Sequence, residues 1–103
     1  MIQNYKTLDK YYFTSILVFM KSDEFKKLVE LLTSIDSVEE MENLLMGLLT
    51  PKEREELPTR IQIIKMLKQG IPQHQIAEKL GVGIATVTRG SKEIRTGTFK
   101  VIK

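Results

Sequence analysis

The stretch Gln73 to Ile94, QHQIAEKLGVGIATVTRGSKEI, decides the fold of this 103-residue chain. Its residue types fall where two short helices crossed at a tight turn require them. Ala77 supplies the small side chain needed where the first helix is crowded by the second. Gly81 can take the left-handed conformation that ends a helix without a Cβ penalty. Ile76, Leu80, Val82 and Val87 are spaced to close a small core between the two. Gly83-Ile84-Ala85-Thr86-Val87-Thr88-Arg89 then opens a second helix whose outward side chains are small, hydroxylic or basic, the kinds that approach base edges and phosphates in a major groove. The pattern reads as a DNA-binding helix-turn-helix, although a Gly-terminated helical hairpin can also serve as plain scaffold in proteins that never touch nucleic acid.

Charge distribution favours the nucleic-acid reading. From Met1 to Pro58 there are seven Lys or Arg against eleven Asp or Glu, a net of −4; from Thr59 to Lys103 there are nine against two, a net of +7. The modest overall charge of +3 therefore hides a strongly basic half around the motif, the electrostatic footprint of a phosphate-facing surface. Lys79, Arg89 and Lys92 are the phosphate candidates. Ile84, Ala85, Thr86 and Thr88 are the base-edge candidates.

With 42% hydrophobic residues the chain is one domain by length with a limited core, so association with a second copy would help it. It has no Cys, which removes disulfides and cysteine-ligated zinc and makes a cytoplasmic location the simplest reading. The run Tyr11 to Met20, YYFTSILVFM, is too short to cross the roughly 30 Å hydrocarbon layer as a helix. Asp9 before it and Lys21-Ser22-Asp23-Glu24 after it do not fit a signal peptide. The expectation is a buried helix and no membrane partner.

Tyr5, Leu8, Tyr12, Ile16 and Phe19 recur at helical spacing and predict a first helix that needs cover on several sides. Ser22 or Asp23 can cap a second, with Phe25, Leu28, Val29 and Leu32 on its buried stripe, ending near Ile35. Ser37 followed by Glu40 predicts a capping box for a third, with Val38, Met41, Leu44, Leu45 and Leu48 inward. Thr50-Pro51-Lys52-Glu53 is a stronger start, combining an N-cap Thr, a Pro at the first helical position and a Glu that returns a hydrogen bond to the cap. Ile61, Ile64 and Leu67 carry this segment to Gly70, with a kink or break expected at Pro58. The prediction is an all-α fold of about six helices: N-terminal dimerisation helices over 1–48, a central helix over 50–70, the helix-turn-helix over 73–94 and a short basic tail over 95–103. The tail, RTGTFKVIK, is too short for an independent helix; it is either frayed or in touch with phosphates.

LTPKEREELPTRIQIIKMLKQG followed by LGVGIATVTRGS resembles the tryptophan operon repressor family, and GIATVTRGS is the sharpest element. The similarity covers Leu49 to Ile94, while the helices before it match in order and general character. The resemblance implies an intertwined homodimer whose reading heads bind a pseudo-palindromic operator in double-stranded DNA. It also implies L-tryptophan as a corepressor between the central helix and the reading head, its indole between two arginines that match Arg60 and Arg89. Guanidinium planes stack on an indole face and an Arg fork suits a carboxylate. Leu49 and Thr50 match the segment that the partner subunit lends to this pocket, and Thr86 and Gly90 match positions lining it. Gly47 stands where the family has Leu, and Glu93 where a Ser helps to hold the ligand's amino group. A carboxylate at Glu93 can pair with an ammonium, or it can occupy Arg89 or Arg60 and close the pocket.

On the DNA side, Gln73, Ile84, Ala85, Thr86 and Thr88 match family positions near the groove, and Gly83, which opens the second helix, is counted with the DNA-binding residues. His74 replaces an Arg that reads a guanine, Ala77 replaces a Lys, and the chain is one residue shorter between Gly70 and Gln73. Without the resemblance, Arg60 reads as a solvated residue paired with Glu56 and Arg89 as a phosphate contact. His74, with Glu78 one turn on, is too little for a metal site or a general base, so neither catalytic residue, metal nor enzymatic activity is expected. The functional expectation is a dimeric transcriptional repressor, the alternatives being a ligand-independent regulator of the same superfamily and a helical protein-interaction module.

Overall fold

The computed structural model describes residues 23–103, so the expected first helix and the Ser22 cap lie outside the described residues. Those residues are all-helical, without a strand: α1 over 23–34, α2 Val38–Leu48, α3 Pro51–Lys68, α4 Gln73–Leu80 and α5 Ile84–Arg95. Two compact units, Met1–Leu45 and Met46–Lys103, divide the chain within α2.

The apolar stripes of α1 and α2 are formed but are not buried as expected. Phe25 is 66% exposed and Val29 45%. On α2, Ser37 Oγ accepts from the Glu40 backbone N–H at 3.3 Å. Met41, Leu44 and Leu45 are half-buried there, whereas Val38 and Leu48 are exposed. Helical periodicity fixes which side chains share a face; it does not supply the surface that covers them.

In the second unit α3 begins as its sequence dictates. Thr50 holds an extended conformation, its hydroxyl accepts from Glu53 N–H at 3.2 Å, and Glu53 Oε1 accepts from Thr50 N–H at 2.9 Å. Of the kink or break expected at Pro58, the break does not occur: the helix runs unbroken from Pro51 to Lys68. Pro58 withdraws one donor and its ring crowds the preceding turn. The Thr59 hydroxyl donates to Glu55 O at 2.9 Å, the carbonyl next to the Arg54 one that Pro58 leaves without its helical donor.

The core is built where α3, α4 and α5 meet. Ile63 and Met66 from α3, Ile76 from α4 and Val87 from α5 are buried together, with Leu67, Ile71, Ala77, Leu80 and Val82 packed around them. Ile76 and Val87 are fully buried, each worth about 1.5–3 kcal/mol relative to exposure. The expected α3 face is corrected at one position: Ile61 is exposed and Ile63, two residues on, is buried beside Ile64. Ile61, Ile63 and Ile64 all fit a helical stripe, and the position of α4 and α5 selects between them.

The Glu53 carboxyl is held below its ordinary value by the Thr50 backbone N–H first and the Thr50 side chain second. A depressed carboxylate contributes stability above its unfolded pKa and loses it as pH falls through the folded value. Urea unfolding followed against pH should therefore show Thr50→Ala less stable by about 1 kcal/mol at neutral pH. Glu53→Gln, which keeps a cap acceptor that does not titrate, should flatten part of the acid limb.

Candidate nucleic-acid interface and ligand pocket

The turn between α4 and α5 is fixed by backbone geometry. Gly81 sits at φ 66°, ψ 34°, the left-handed region that a side chain resists. Its N–H bonds to Glu78 O and the following Val82 N–H to Ala77 O at 3.0 Å. This double closure satisfies the last carbonyls of α4 and turns the chain sharply. A side-chain bond adds to it: the Thr88 hydroxyl donates to Gln73 Oε1 at 2.7 Å, tying the start of α4 to the middle of α5. Two residues expected near the groove are thus held to each other, which fixes the pose of α5 against α4.

Around α5 the residues sort by face at helical spacing. Val87 and Gly90 are buried. Ala85, Thr88 and Lys92 are exposed on the far side, with Gly83 and Ile84 exposed at the start of the helix, Ile84 by 51%. His74 and Lys79 are exposed on α4, and Gln73 is half-buried. These positions leave basic and small side chains along one accessible edge of the helix-turn-helix. Thr86, Arg89 and Glu93 lie on the flank toward α3, where they line a cavity.

That cavity, of ≈ 370 Å³, is lined by Arg60, Ile63 and Ile64 from α3, Thr86, Arg89, Gly90 and Glu93 from α5, and Thr98 and Phe99 from the tail. Its size falls in the range of about 300–1,000 Å³ common for small-molecule sites. The two guanidinium groups belong to facing helices. Arg60 is 3.7 Å from Glu56 one turn earlier, an ion pair open to solvent on both sides; such pairs contribute little and are readily exchanged. Glu93 engages neither arginine among the described ion pairs, and its carboxylate instead accepts from the Thr98 hydroxyl at 3.3 Å. A second hollow, of ≈ 440 Å³, shares Arg60, Ile63 and Thr86 with the first and has Glu55 and Glu56 on its rim. Arg60 therefore stands as the partition between an acidic hollow and a basic one.

Of the residues expected around a ligand, the fold gathers Arg60, Thr86, Arg89, Gly90 and Glu93. Gly47, Leu49 and Thr50 are not among the lining residues. Thr50 caps the start of α3 and Arg60 lies ten residues on, about 15 Å by helical rise; Leu49 and Thr50 are expected from a partner subunit, not from the same chain. Gly90 has a second role that its sequence position does not announce. A Cβ there would come 3.1 Å from Ile64 Cδ1, 3.4 Å from Leu67 Cδ1 and 3.5 Å from Ile63 Cγ2, so the bare backbone is what lets α5 lie against α3.

Sequence reasoning missed Ile63, Ile64, Thr98 and Phe99. The signal for the last two was present in Thr96-Gly97: a Gly directly after a helix can close it and redirect the chain. Gly97 has φ 82°. Its N–H bonds to Ile94 O at 3.0 Å and Thr98 N–H to Glu93 O at 3.3 Å, repeating the closure that ends α4. The tail is therefore not frayed but turned back toward α3, with Arg95, Lys100 and Lys103 exposed. Among the described residues no group of three or more His, Asp or Glu side chains converges as a metal site requires, and no helix is long and apolar enough to cross a membrane.

A family model described as Trp repressor protein matches residues 23–101, from α1 into the tail. The chain belongs to the Trp repressor family. The Trp operon repressor homolog of Vibrio parahaemolyticus serotype O3:K6 is 45% identical to it over 74 residues, 71% of this chain and 72% of that protein. The homolog of Vibrio cholerae serotype O1 shows the same identity and coverage. That of Aliivibrio fischeri strain ES114 is 52% identical over 56 residues, 53% of this chain and 52% of that protein. The Trp repressor family is a regulatory, non-enzymatic one, and membership places this chain among transcriptional repressors.

The close approach at Gly90 can be tested directly. Gly90→Leu forces apart α5 and α3 and should lower stability by about 1–3 kcal/mol, the usual size of overpacking, as read by thermal unfolding. Gly90→Ala should cost far less, because the nearest atom is the movable end of Ile64 and Ala gains helix propensity over Gly.

Proposed function

We propose that this chain is a homodimeric, sequence-specific repressor that binds a pseudo-palindromic operator and takes L-tryptophan as corepressor. The observation that carries the reading is the convergence of Arg60, Arg89 and Glu93 in one cavity floored by Ile63 and Ile64 and backed by the recognition helix. An aromatic α-amino acid matches that set group by group. An arginine fork takes the carboxylate, Glu93 takes the ammonium and the guanidinium planes flank the indole. Because Glu93 is held by Thr98 and Arg60 only by an exposed ion pair, both arginines can turn to a ligand at small cost.

The dimer is supported by the incompletely covered apolar stripes of α1 and α2, whose exposed parts a second copy would cover. The same copy would bring Leu49 and Thr50 to the pocket, as the family resemblance implies. A ligand wedged between α3 and α5 then favours one orientation of α5, which in a dimer sets how both recognition helices meet successive major grooves. A coupling of about 1–3 kcal/mol is typical of such linkage. Gln73, His74, Gly83, Ile84, Ala85 and Thr88 face the bases on this reading, and Lys79 and Lys92 the phosphates.

The chain contains no Trp, so L-tryptophan can be titrated by its own indole emission. Saturable binding is expected, lost in Arg89→Ala and not reproduced by D-tryptophan. No binding to folded, dimeric protein would leave a ligand-independent regulator. In gel-shift assays at graded salt, Lys79→Ala and Lys92→Ala should each weaken binding to every duplex and reduce the salt slope by about 1. Strong salt dependence with no preferred duplex would instead mark an interaction module with an incidental basic face.

A further inference from the structure

The tail after α5 is the part of the molecule that the family reading leaves without a role. It is nonetheless tethered at several points. Gly97 turns it back at φ 82°, Thr98 is bonded through its N–H to Glu93 O and through its hydroxyl to the Glu93 carboxylate, and the Thr96 and Thr98 hydroxyls lie 2.9 Å apart. Farther on, Lys68 Nζ donates to the carbonyl oxygens of both Phe99 and Ile102. Phe99 is thus fixed from both sides. It is half-buried and lines the cavity, whereas Val101, two residues on, is 87% exposed.

We infer that the tail is the outer wall of the ligand pocket and that Phe99 sets its preference for aromatic over aliphatic amino acids. The cavity has an apolar floor on α3, from Ile63 and Ile64, but α5 offers it only Thr86, Arg89, Gly90 and Glu93, which are polar or bare. Phe99 is the one large apolar side chain facing that floor. An aromatic ring gains more than area from an aromatic neighbour, through offset or edge-to-face packing, and an aliphatic side chain does not. Thr98 contributes separately by fixing the Glu93 carboxylate where an ammonium would meet it. Lys68, outside the cavity, acts as a positioning residue by holding the backbone on which Phe99 stands.

The inference rests on the corepressor reading above, and its test separates the two. L-tryptophan is titrated into the full chain and into its Phe99→Ala, Phe99→Leu and Lys68→Met variants, with L-leucine as competitor and thermal unfolding as a check of folding. Phe99→Ala should weaken L-tryptophan roughly tenfold and narrow the discrimination against L-leucine by a similar factor. Phe99→Leu, which keeps the apolar bulk and folding, should lose the discrimination, and Lys68→Met should weaken L-tryptophan in the same direction. Binding by the unaltered chain that is unchanged in folded Phe99→Ala or Phe99→Leu overturns the wall and leaves the corepressor reading standing. Absence of L-tryptophan binding by the unaltered chain overturns both.

Discussion

The structure depends on how closely α5 lies against α3. Gly90 faces Ile63, Ile64 and Leu67 at distances that leave almost no room for a methyl group, and Val87, one turn earlier, is fully buried beside them. With the helices this near along one line, the side chains flanking that line are brought into register. Arg60 faces Arg89, and Thr86 and Glu93 fall on the same side. A cavity bounded by two like-charged guanidinium groups is not a stable arrangement for a protein to fill with its own apolar groups, because desolvating those charges is costly. It is an arrangement suited to an anionic or zwitterionic guest.

On the proposed reading the same helix carries two functions, one on each of two faces. Ala85, Thr88 and Lys92 point away from α3 while Thr86, Arg89 and Glu93 border the cavity. On the proposed reading, a guest that alters the distance or angle between α3 and α5 moves the DNA-facing side chains as a rigid set. The Thr88 to Gln73 hydrogen bond and the Gly81 closure bind α4 into that set, so the reading head moves as a unit. Charge completes the division: the basic residues cluster after Thr59 and the acidic ones before it, leaving a phosphate-attracting surface on the half that holds the motif.

Much of this was legible in the residues themselves because it is set by local geometry. Gly81 had to be left-handed, Thr50 and Glu53 had to close a box, and Ile76 and Val87 had to face inward, since each follows from sterics or periodicity within one or two turns. The arginines could be named as a pair only through resemblance, because Arg60 and Arg89 lie 29 positions apart and no local pattern links them. At Pro58 the sequence leaves a kink and a break both open, and only the break is ruled out by the continuous α3. The ring's effect on the preceding turn is a local rule, but whether the rest of the helix holds through it depends on the packing of α3 against α4 and α5.

The sequence by itself determined the helix starts and stops, the turn of the reading head and the basic character of the C-terminal half, because capping, left-handed glycine and net charge act at short range or need no geometry at all. Tertiary structure alone decided which isoleucines of α3 are buried, that Gly90 is a contact point between helices, that Glu93 bonds to Thr98 instead of to an arginine, and that Phe99 turns into the cavity. Apart from the Glu93–Thr98 bond, which spans five residues, each of these depends on the separation of segments distant along the chain. That separation is set by packing against partners that periodicity cannot name.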